Sequence, residues 1–392
     1  MAHFEELTQD GTTVFAFHGK IDSSNSEGIG AAVLPKVQGK PSVVFDFGDV
    51  QYISSAGLRF VLKAAKVTSS FRVINVHPDV YDVFEMTGFT QIIKVVKALR
   101  EISIEGKEKI GEGYMGKVYR LDPDTIIKVF YRGGADTLAD IERETALAKK
   151  AFVLGIPTAI PFDVVKVKEG GYGSVFELLK SNAMNSLFIH HPENADQYIK
   201  MYVDLLKTIL STEVEEGALP RKKLEALKWA ASLRKNKAFE EPILDKIDAL
   251  IDTIPEPLRV VHGDFHIKNI MMQGDEPLLI DMDTLGYGHP IFEFAGIFLC
   301  YIGYGSTEPG NCMNFLGIPD ELAARIYRAA IDGVYANRSV EEREAIMDKI
   351  ALLSYIWFTD KTMLFEPENT KRLEHAKSEV LRLIGKYFTL DF

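Results

Sequence analysis

Short apolar runs alternate with helical patterns through the first hundred residues. Strand patterns, rich in β-branched and aromatic residues, occur at residues 12–17, 42–47, 71–76 and 92–96. A helical stretch at residues 58–66 lies between the second and the third of them. Strand and helix alternating in so short a span predict one small α/β layered domain.

Beyond residue 100 the pattern changes twice. A β-branched run at residues 125–130 contains one lysine, and strong helix formers follow at residues 141–151. The last third carries apolar residues at helical spacing, as at residues 321–331 and 371–384. We therefore expect strands and a helix first, then a region built mainly of helices.

Size and charge narrow the classes of function. A chain of 392 residues predicts two or three domains, and 46% hydrophobic residues suffice for sizeable cores. The net charge is −11, and because residues 1–100 carry ten acidic and ten basic side chains, all of it lies beyond them. An acidic surface argues against nucleic acid and against an anionic membrane. It would suit a cationic or amino-containing substrate, although an ordinary solvated surface explains it better, because no acidic cluster localises a site.

Cysteine usage and hydropathy predict a cytoplasmic protein. Cys300 and Cys312 are not part of a metal-binding sequence pattern. Two thiols in a chain of this size fit a reducing compartment. The first residues lack the pattern of a secretion signal. The apolar run at residues 297–302 is far too short to span a bilayer and predicts a buried helix.

The strongest chemical pattern is V-H-G-D-F-H-I-K-N at residues 261–269. It places Asp264 five residues before Asn269, and Asp281 follows twelve residues later. Phosphoryl transfer to a hydroxyl needs one carboxylate at the acceptor, and an amide and a second carboxylate on magnesium at the nucleotide phosphates. Apolar residues at 259–261 and 278–280 predict short buried strands that carry these polar residues into a site.

Upstream partners for this pattern occur in the expected order. Residues 110–119 fit G-x-G-x-x-G-x-V, a turn in which glycine lets the backbone approach phosphates, though a glycine hairpin without a ligand explains the motif alone equally well. Lys128 follows in a strand pattern and would hold phosphates. Glu144 is the preferred partner for Lys128, with Glu142 and Asp140 as rivals.

From about residue 106 onward the chain resembles the aminoglycoside phosphotransferase and choline kinase group, the small-molecule branch of the protein-kinase-like fold. The resemblance rests on HGDFHIKN, on I-D-M-D at residues 280–283 and on G-Y-G-H-P-I-F-E at residues 286–293. It implies an α+β bilobal domain with a helical C-lobe. Two positions depart from the family pattern, His289 and Glu293, and both are expected to support the loop rather than to contact the reactants.

The resemblance also implies a role for each matched residue, with ATP and Mg²⁺ as cofactors. Asp264 would be the catalytic base, and Asn269 and Asp281 the metal ligands. Asp283 would either assist the metal or brace the loop. The implied nucleotide-binding residues are Gly111, Gly113, Gly116, Lys128, Glu144 and, in an adenine-binding hinge at residues 176–179, Glu177 and Leu178.

Two serines precede the helical stretch of the first domain. Ser54 and Ser55 would cap the helix, and a helix N-terminus is also a natural seat for a phosphate. With residues 19–22 and 83–89, this segment resembles a STAS domain of the anti-sigma factor antagonist type. In that family the switch serine falls at Ser55, so capping and phosphorylation are equally favoured, and a protein partner is implied for this domain.

The sequence therefore predicts an α/β STAS domain, a small mixed sheet with helices, over residues 1–100. A kinase-like domain is predicted over residues 101–392, with its N-lobe at about 101–180 and its C-lobe at about 181–392. The predicted function is transfer of the γ-phosphoryl of ATP to a hydroxyl of a small molecule, with the STAS domain as a regulatory or partner-binding module. Two alternatives stay open: a protein serine kinase acting on Ser55 or on a partner, and a nucleotide-sensing protein without catalysis.

Overall fold

The structure is a computed structural model that describes residues 3–9, 12–113, 116–131, 135–179 and 182–392. The chain divides into two compact units, Met1–Ile102 and Ser103–Phe392. The tip of the predicted glycine loop, Tyr114 and Met115, lies outside the described residues.

The first unit is a mixed sheet with helices, as the alternation of patterns predicted. Its elements are β1 (His3–Gln9), β2 (Thr12–Ile21), α1 (Ser26–Val37), β3 (Ser42–Ile53), α2 (Ser55–Lys66), β4 (Ser70–Val76), α3 (Pro78–Met86), β5 (Lys94–Lys97) and a short strand, β6 (Arg100–Ile102). The strands are ordered β1–β2–β3–β4–β5. β1 runs antiparallel to β2, and the other neighbours pair in parallel.

Phenylalanine rings form the core of this unit. Phe15 and Phe17 are two residues apart on β2, and Phe45 and Phe47 are two residues apart on β3. Because side chains of a strand repeat their direction every two residues, each pair lies on one face of the sheet. α2 adds Phe60, whose ring centroid lies 5.4 Å from that of Phe45. All five side chains are buried, and aromatic pairs at these separations contribute beyond the apolar area that they bury.

The start of α2 is pressed against the ends of two strands. The N–H of Ser54 donates to the carbonyl of Ile21 over 2.8 Å. A Cβ at Gly57 would lie 2.8 Å from Cγ1 of Ile53 and 2.9 Å from Cγ2 of Ile21. Glycine is therefore required at this position, and the beginning of α2 is fixed to the sheet.

The second unit begins with a sheet and one long helix. These elements are β7 (Lys109–Glu112), β8 (Gly116–Arg120), β9 (Thr125–Phe130), α4 (Ala135–Val153), β10 (Pro161–Val167) and β11 (Tyr172–Glu177). The strands are ordered β10–β11–β9–β8–β7, so β9, which carries Lys128, lies between two neighbours. The predicted strand at residues 125–130 and the predicted helix at residues 141–151 are both present.

The rest of the second unit is mainly helical. It contains β12 (Asn182–Ala183), α5 (Met184–His190), α6 (Ala195–Ser211), α7 (Lys223–Lys235), α8 (Glu241–Asp252), β13 (Val260–Val261), β14 (Ile270–Gln273), β15 (Glu276–Leu279), β16 (Gly286–Tyr287), α9 (Ile291–Phe298), α10 (Asn311–Leu316), α11 (Asp320–Val334), α12 (Val340–Phe365) and α13 (Thr370–Ile384). The short strands β13 and β15 coincide with the apolar flanks of the chemical motif, and both are buried at their carboxyl ends.

The predicted buried helix at residues 297–302 is only partly α-helical. α9 ends at Phe298, and Leu299–Gly303 follows as a π-helical turn. A Cβ at Gly303 would lie 2.8 Å from Cδ2 of Leu299, so the absence of a side chain at Gly303 accommodates the turn. Such turns often occur at functional sites, and Tyr304 directly follows this one.

Within the described part of the chain, none of the helices combines the length and the apolar character needed to cross a membrane.

Candidate functional site

An ammonium group shared by two carboxylates lies at the centre of the candidate site. Nζ of Lys128 is 2.8 Å from Oε1 of Glu144 on α4 and 3.0 Å from Oδ1 of Asp281, which follows β15 closely. Burial disfavours the charged ammonium, but Asp281 and Glu144 outweigh that effect and hold the pKa of Lys128 above its usual value. One positive charge thus joins the sheet, the long helix and the helical part of the second unit.

The backbone turns sharply to bring Asp281 to Lys128. Asp281 adopts φ 68° and ψ 70°, a left-handed conformation that residues other than glycine rarely adopt. Ile280 donates its N–H to the carbonyl of Asn269 over 2.9 Å, and Arg143 of α4 donates to the carbonyl of Asp283 over 3.1 Å. Contacts on both sides thus hold a strained residue in place, as is common at functional sites.

A buried carboxylate holds the loop that carries Asp264. Oε2 of Glu293, on α9, accepts the N–H of His262 at 2.6 Å, and Oε1 accepts the N–H of Gly263 at 2.8 Å. Thr284 donates its hydroxyl to the carbonyl of His262 over 2.7 Å. Two bonds to one rigid carboxylate fix the backbone immediately before Asp264.

His289 does not share this role, although the sequence suggested it as a second support of the loop. Its Nδ1 accepts the N–H of Ile291 at the start of α9, 3.2 Å away. Its ring packs edge-on against Phe392, with centroids 4.6 Å apart. His289 therefore anchors the end of the chain to α9.

Asp264 is held ionised although it is partly buried. Burial alone would raise the pKa of Asp264, but His266, His262 and Asn269 together hold it below its usual value. Nδ2 of Asn269 donates to Oδ2 of Asp264 over 3.0 Å, and Nε2 of His266 lies 3.6 Å from the same oxygen. His262 is buried, and burial lowers its pKa to about 4, so it is neutral and its Nδ1 accepts the N–H of Asp264.

Asn269 and Asp281 both have side-chain oxygen atoms that could bind a cation. Because Nδ2 of Asn269 is used by Asp264, its Oδ1 is the atom left for a metal. Burial, with Asp281 and Glu144 nearby, raises the pKa of Asp283 to about 7, which shows an excess of carboxylate charge here. Among the described residues no three His, Cys, Asp or Glu side chains are arranged to hold a metal unaided. The donor set fits Mg²⁺, which binds through one or two carboxylates together with substrate phosphates.

The glycine motif forms the hairpin between β7 and β8. The N–H of Gly113 donates to the carbonyl of Gly116 over 2.9 Å, and a Cβ at Gly113 would meet open space. A Cβ at Gly116 would lie 2.1 Å from the carbonyl oxygen of Val129, beside Lys128. Glycine at 116 is therefore required for β8 to lie against β9, and Gly113 leaves space for a ligand, whereas a Cβ at Gly111 would contact Val118 at 3.6 Å.

The predicted hinge follows β11, and its backbone donors are partly used. Glu177 donates its N–H to the carbonyl of Ile160 over 2.9 Å, and Leu178 donates to the carbonyl of Asp124 over 2.8 Å. An adenine would therefore use the carbonyl oxygens of Glu177 and Leu178, because their amides are already engaged.

The two serines at the start of α2 differ in their contacts. Ser54 is the N-cap, and its Oγ accepts the N–H of Gly57 at 3.3 Å. Ser55 is exposed, and its hydroxyl has no hydrogen-bond partner within the described part of the chain. Capping therefore falls to Ser54, and the hydroxyl of Ser55 is left accessible at a helix N-terminus.

One residue that interacts electrostatically with Asp264, Lys361, was not among those predicted from the sequence. Lys361, on α12, lies over the rings of Trp357 and Tyr304, with Nζ 5.9 and 5.6 Å from their centroids. A signal was present, because Asp360 and Lys361 interrupt the otherwise apolar stretch of α12. A charged pair inside such a stretch indicates either a packed contact or a site.

Two family models match the chain. The model of the phosphotransferase enzyme family (APH) matches residues 108–330, more than half of the chain, and the STAS domain model matches residues 3–102. Both predicted resemblances and the predicted fold class are thereby confirmed.

Individual proteins are similar to each part. Over 94 residues the chain is 37% identical to BtrV of Bordetella bronchiseptica, a candidate anti-sigma factor antagonist, covering 23% of this chain and 81% of that protein. The solved structure of the aminoglycoside phosphotransferase APH(2″)-IIa with streptomycin and ATP is 16% identical, covers 77% of this chain and 95% of its own, and has a TM-score of 0.46. The solved structure of APH(4)-Ia is 12% identical, covers 71% of this chain and 93% of its own, and has a TM-score of 0.49.

Glu293→Gln tests the support of the loop. Glutamine has one oxygen in place of two, so one of the two backbone N–H groups loses its acceptor, at a cost of about 1–3 kcal/mol in the free energy of unfolding. Chemical denaturation of the variant measures this loss. Glu321→Gln, an exposed position on α11, serves as the control and should change stability by less than about 0.5 kcal/mol.

The same variant has a defined pH dependence. Burial raises the pKa of Glu293 from 4.5 to about 7, so the folded protein keeps a proton that the unfolded chain has lost. The stabilisation from this proton is complete below pH 4.5 and is lost as the pH rises to about 7. The stability gap between wild type and Glu293→Gln should therefore narrow over this window. A constant or widening gap would contradict the buried carboxyl described above.

Proposed function

The chain belongs to the phosphotransferase enzyme family and carries a STAS domain at its N-terminus, and we propose that it transfers the γ-phosphoryl group of ATP to a hydroxyl of a small molecule. The observation that carries this proposal is the convergence of Lys128, Asp264, Asn269 and Asp281, which come from three separate segments. These are the groups that positioning and charge stabilisation of a phosphoryl group require.

The nucleotide would lie between the glycine hairpin and Lys128. Gly113 leaves the backbone open to phosphates, Gly111 precedes it in the same hairpin, and Lys128 supplies a charge that Glu144 keeps in position. The hinge carbonyls of Glu177 and Leu178 would receive the adenine amino group. The donor is thus ATP held at three points along its length.

Magnesium would be held by Asp281 and by Oδ1 of Asn269, with Asp283 close enough to assist. The raised pKa of Asp283 supports a role beside the metal, because it reflects burial close to the carboxylates of Asp281 and Glu144. Lys128 is the cation that contacts Asp281. When bound, the metal supplies charge neutralisation at the phosphates. In its presence Lys128 would be released from Asp281 toward the phosphates while it stays paired with Glu144.

Asp264 would orient the acceptor and receive its proton. The acceptor oxygen forms a bond to the γ-phosphorus as the bond to the bridging oxygen of ADP breaks, and ADP leaves with the electron pair. Because its pKa is held low, Asp264 is an ionised acceptor of that proton at neutral pH. The bonds from Glu293 keep its loop from moving during the transfer.

Asp264→Asn provides the direct test of this role. The amide cannot accept the proton, so phosphoryl transfer should fall by about 10²–10⁴-fold while the Kd for ATP changes little. ADP release and calorimetric binding of ATP measure the two quantities. Asp275→Asn, an exposed position in the turn between β14 and β15, is the matched control. Turnover retained in Asp264→Asn would exclude the assigned role.

A second candidate function is phosphorylation of Ser55 by the kinase-like domain of the same or another copy. The contacts at the start of α2 favour phosphorylation of Ser55. Ser54 provides the cap, and the Ser55 hydroxyl is exposed and has no hydrogen-bond partner within the described residues. A phosphate there would meet free N–H groups and the positive end of the helix dipole.

Intact-mass spectrometry after incubation with Mg²⁺ and ATP tests the second candidate. The expected result is a gain of one phosphate that maps to Ser55, persists in Ser54→Ala and is absent in Ser55→Ala and in Asp264→Asn. No gain in a chain that binds ATP would reject self-phosphorylation. If no added acceptor is phosphorylated either, a nucleotide-sensing protein without catalysis becomes the better account.

A further inference from the structure

Lys361 lies beside the loop that carries Asp264. Trp357 precedes it by one turn on α12, and its ring lies 3.9 Å from the position that a Cβ on Gly296 would occupy. That same position is 3.1 Å from the carbonyl oxygen of Gly263, the residue before Asp264. The Lys361 ammonium, over the Trp357 ring, is therefore close to the loop of the candidate catalytic carboxylate, and it interacts electrostatically with Asp264.

Two aromatic rings enclose this ammonium. Tyr304 follows the π-helical turn, and Nζ of Lys361 lies 5.6 Å from its ring centroid and 5.9 Å from that of Trp357. Tyr304 also makes a side-chain hydrogen bond with the ammonium. Ring faces attract a cation but cannot neutralise it. They also exclude water, so a charge placed here acts strongly on a neighbouring group.

Lys361 has no carboxylate partner within the described part of the chain, whereas a neighbouring cation has two. Arg372 lies over the same Tyr304 ring, 4.9 Å from its centroid, and pairs with Glu308 and Glu366. Asp360, adjacent to Lys361, interacts instead with Ser232 on α7. The charge of Arg372 is thus neutralised within the protein, and the charge of Lys361 remains available.

The lysine keeps its charge although it is half-buried. Burial lowers its pKa, but Tyr304, Cys300 and Asp264 together outweigh burial and leave the pKa above its usual value. Lys361 is therefore charged at neutral pH, and within the described residues no carboxylate lies close enough to form an ion pair with it, so an anionic group of a ligand can bind there.

We propose that Lys361 receives an anionic group of the acceptor, a carboxylate or a phosphate, while the acceptor hydroxyl lies at Asp264. The inference rests on the proposed function and names the substrate class: hydroxy acids or phosphorylated alcohols. It sets the local charge of the site against the net charge of the chain. The overall charge of −11 would suit a cationic substrate, but Lys361, near the loop that carries Asp264, is itself a cation.

A series of probes with one diol and four end groups tests the proposal. Glycerate carries a carboxylate, glycerol 3-phosphate a phosphate, glycerol a hydroxyl and 3-aminopropane-1,2-diol an ammonium. With Mg²⁺ and ATP, an anionic probe should be phosphorylated with a kcat/KM at least about tenfold above those of glycerol and the amine, as expected for one charged hydrogen bond. The two anionic probes distinguish a carboxylate from a phosphate.

Variants of Lys361 assign the preference to this residue. Lys361→Met should abolish it, and Lys361→Arg, which keeps the charge and guards against a loss of folding, should retain most of it. Lys377→Met is the matched control, because Lys377 also lies over a ring, 5.4 Å from the centroid of Phe239, away from the site. Preference for the amine, or an anion preference unchanged in Lys361→Met, would overturn the proposal.

A binding measurement separates this proposal from the proposed function. The Tm of the full chain loaded with Mg²⁺ and ADP is recorded with each of the four probes. Anionic probes that raise the Tm of wild type, but not of Lys361→Met, support the anion site even if no probe is phosphorylated. Absence of any transfer that depends on Asp264 counts against the proposed function. If neither anionic probe raises the Tm nor is phosphorylated, the anion site is rejected.

Discussion

The second unit depends on one partly buried positive charge. Lys128 belongs to the sheet, Glu144 to the long helix and Asp281 to the segment after β15, and the ammonium of Lys128 contacts both carboxylates. Without it, two carboxylates would face each other in a poorly solvated space, which is strongly unfavourable. The same arrangement is suited to exchange: a metal can take over Asp281, and Lys128 can then turn to a phosphate while Glu144 still holds it.

The site combines this exchangeable charge with a fixed loop. Glu293 binds the backbone before Asp264 through both oxygens, and α9 holds Glu293 itself at full burial. Asp264 can therefore keep its position while charges around the nucleotide rearrange. Preorganised groups of this kind need not reorganise when charge develops in the reaction, and that is a principal source of catalytic rate. Near the same loop, Lys361 adds a cation that forms no ion pair with a carboxylate within the described residues and that would receive the anionic group of the acceptor.

Much of this arrangement could be predicted from the sequence because local pattern and chemistry coincide there. The strands around Lys128 and Asp264 have apolar flanks, and the preference for Glu144 over Glu142 and Asp140 agrees with the contact to Lys128. The roles assigned to these residues stay predictions until activity is measured. The sequence could not show which of the two serines caps α2 and which is exposed. That depends on the exact residue at which α2 begins, and a difference of one residue would exchange the two roles.

What the sequence did not reveal depends on packing between distant segments. The π-helical turn at Leu299–Gly303 has no distinct sequence pattern, and the position of Tyr304 follows from it. Lys361 could be noticed in an apolar helix, but its two aromatic neighbours and its lack of a counter-ion follow only from the way α12 packs against α9. His289 was grouped with Glu293 by its position in a motif, yet it contacts Phe392 near the end of the chain.

The most direct test of the central claim is a calorimetric titration of ATP into wild type and Asp281→Asn, with Mg²⁺ and with a chelator. The account predicts that Mg²⁺ tightens ATP binding to wild type by about tenfold or more and that Asp281→Asn removes this gain. With the chelator the variant should bind ATP at least as well as wild type, because Lys128 is then free of Asp281. Equal affinities with and without Mg²⁺ in wild type, or a full Mg²⁺ effect in the variant, would contradict the account.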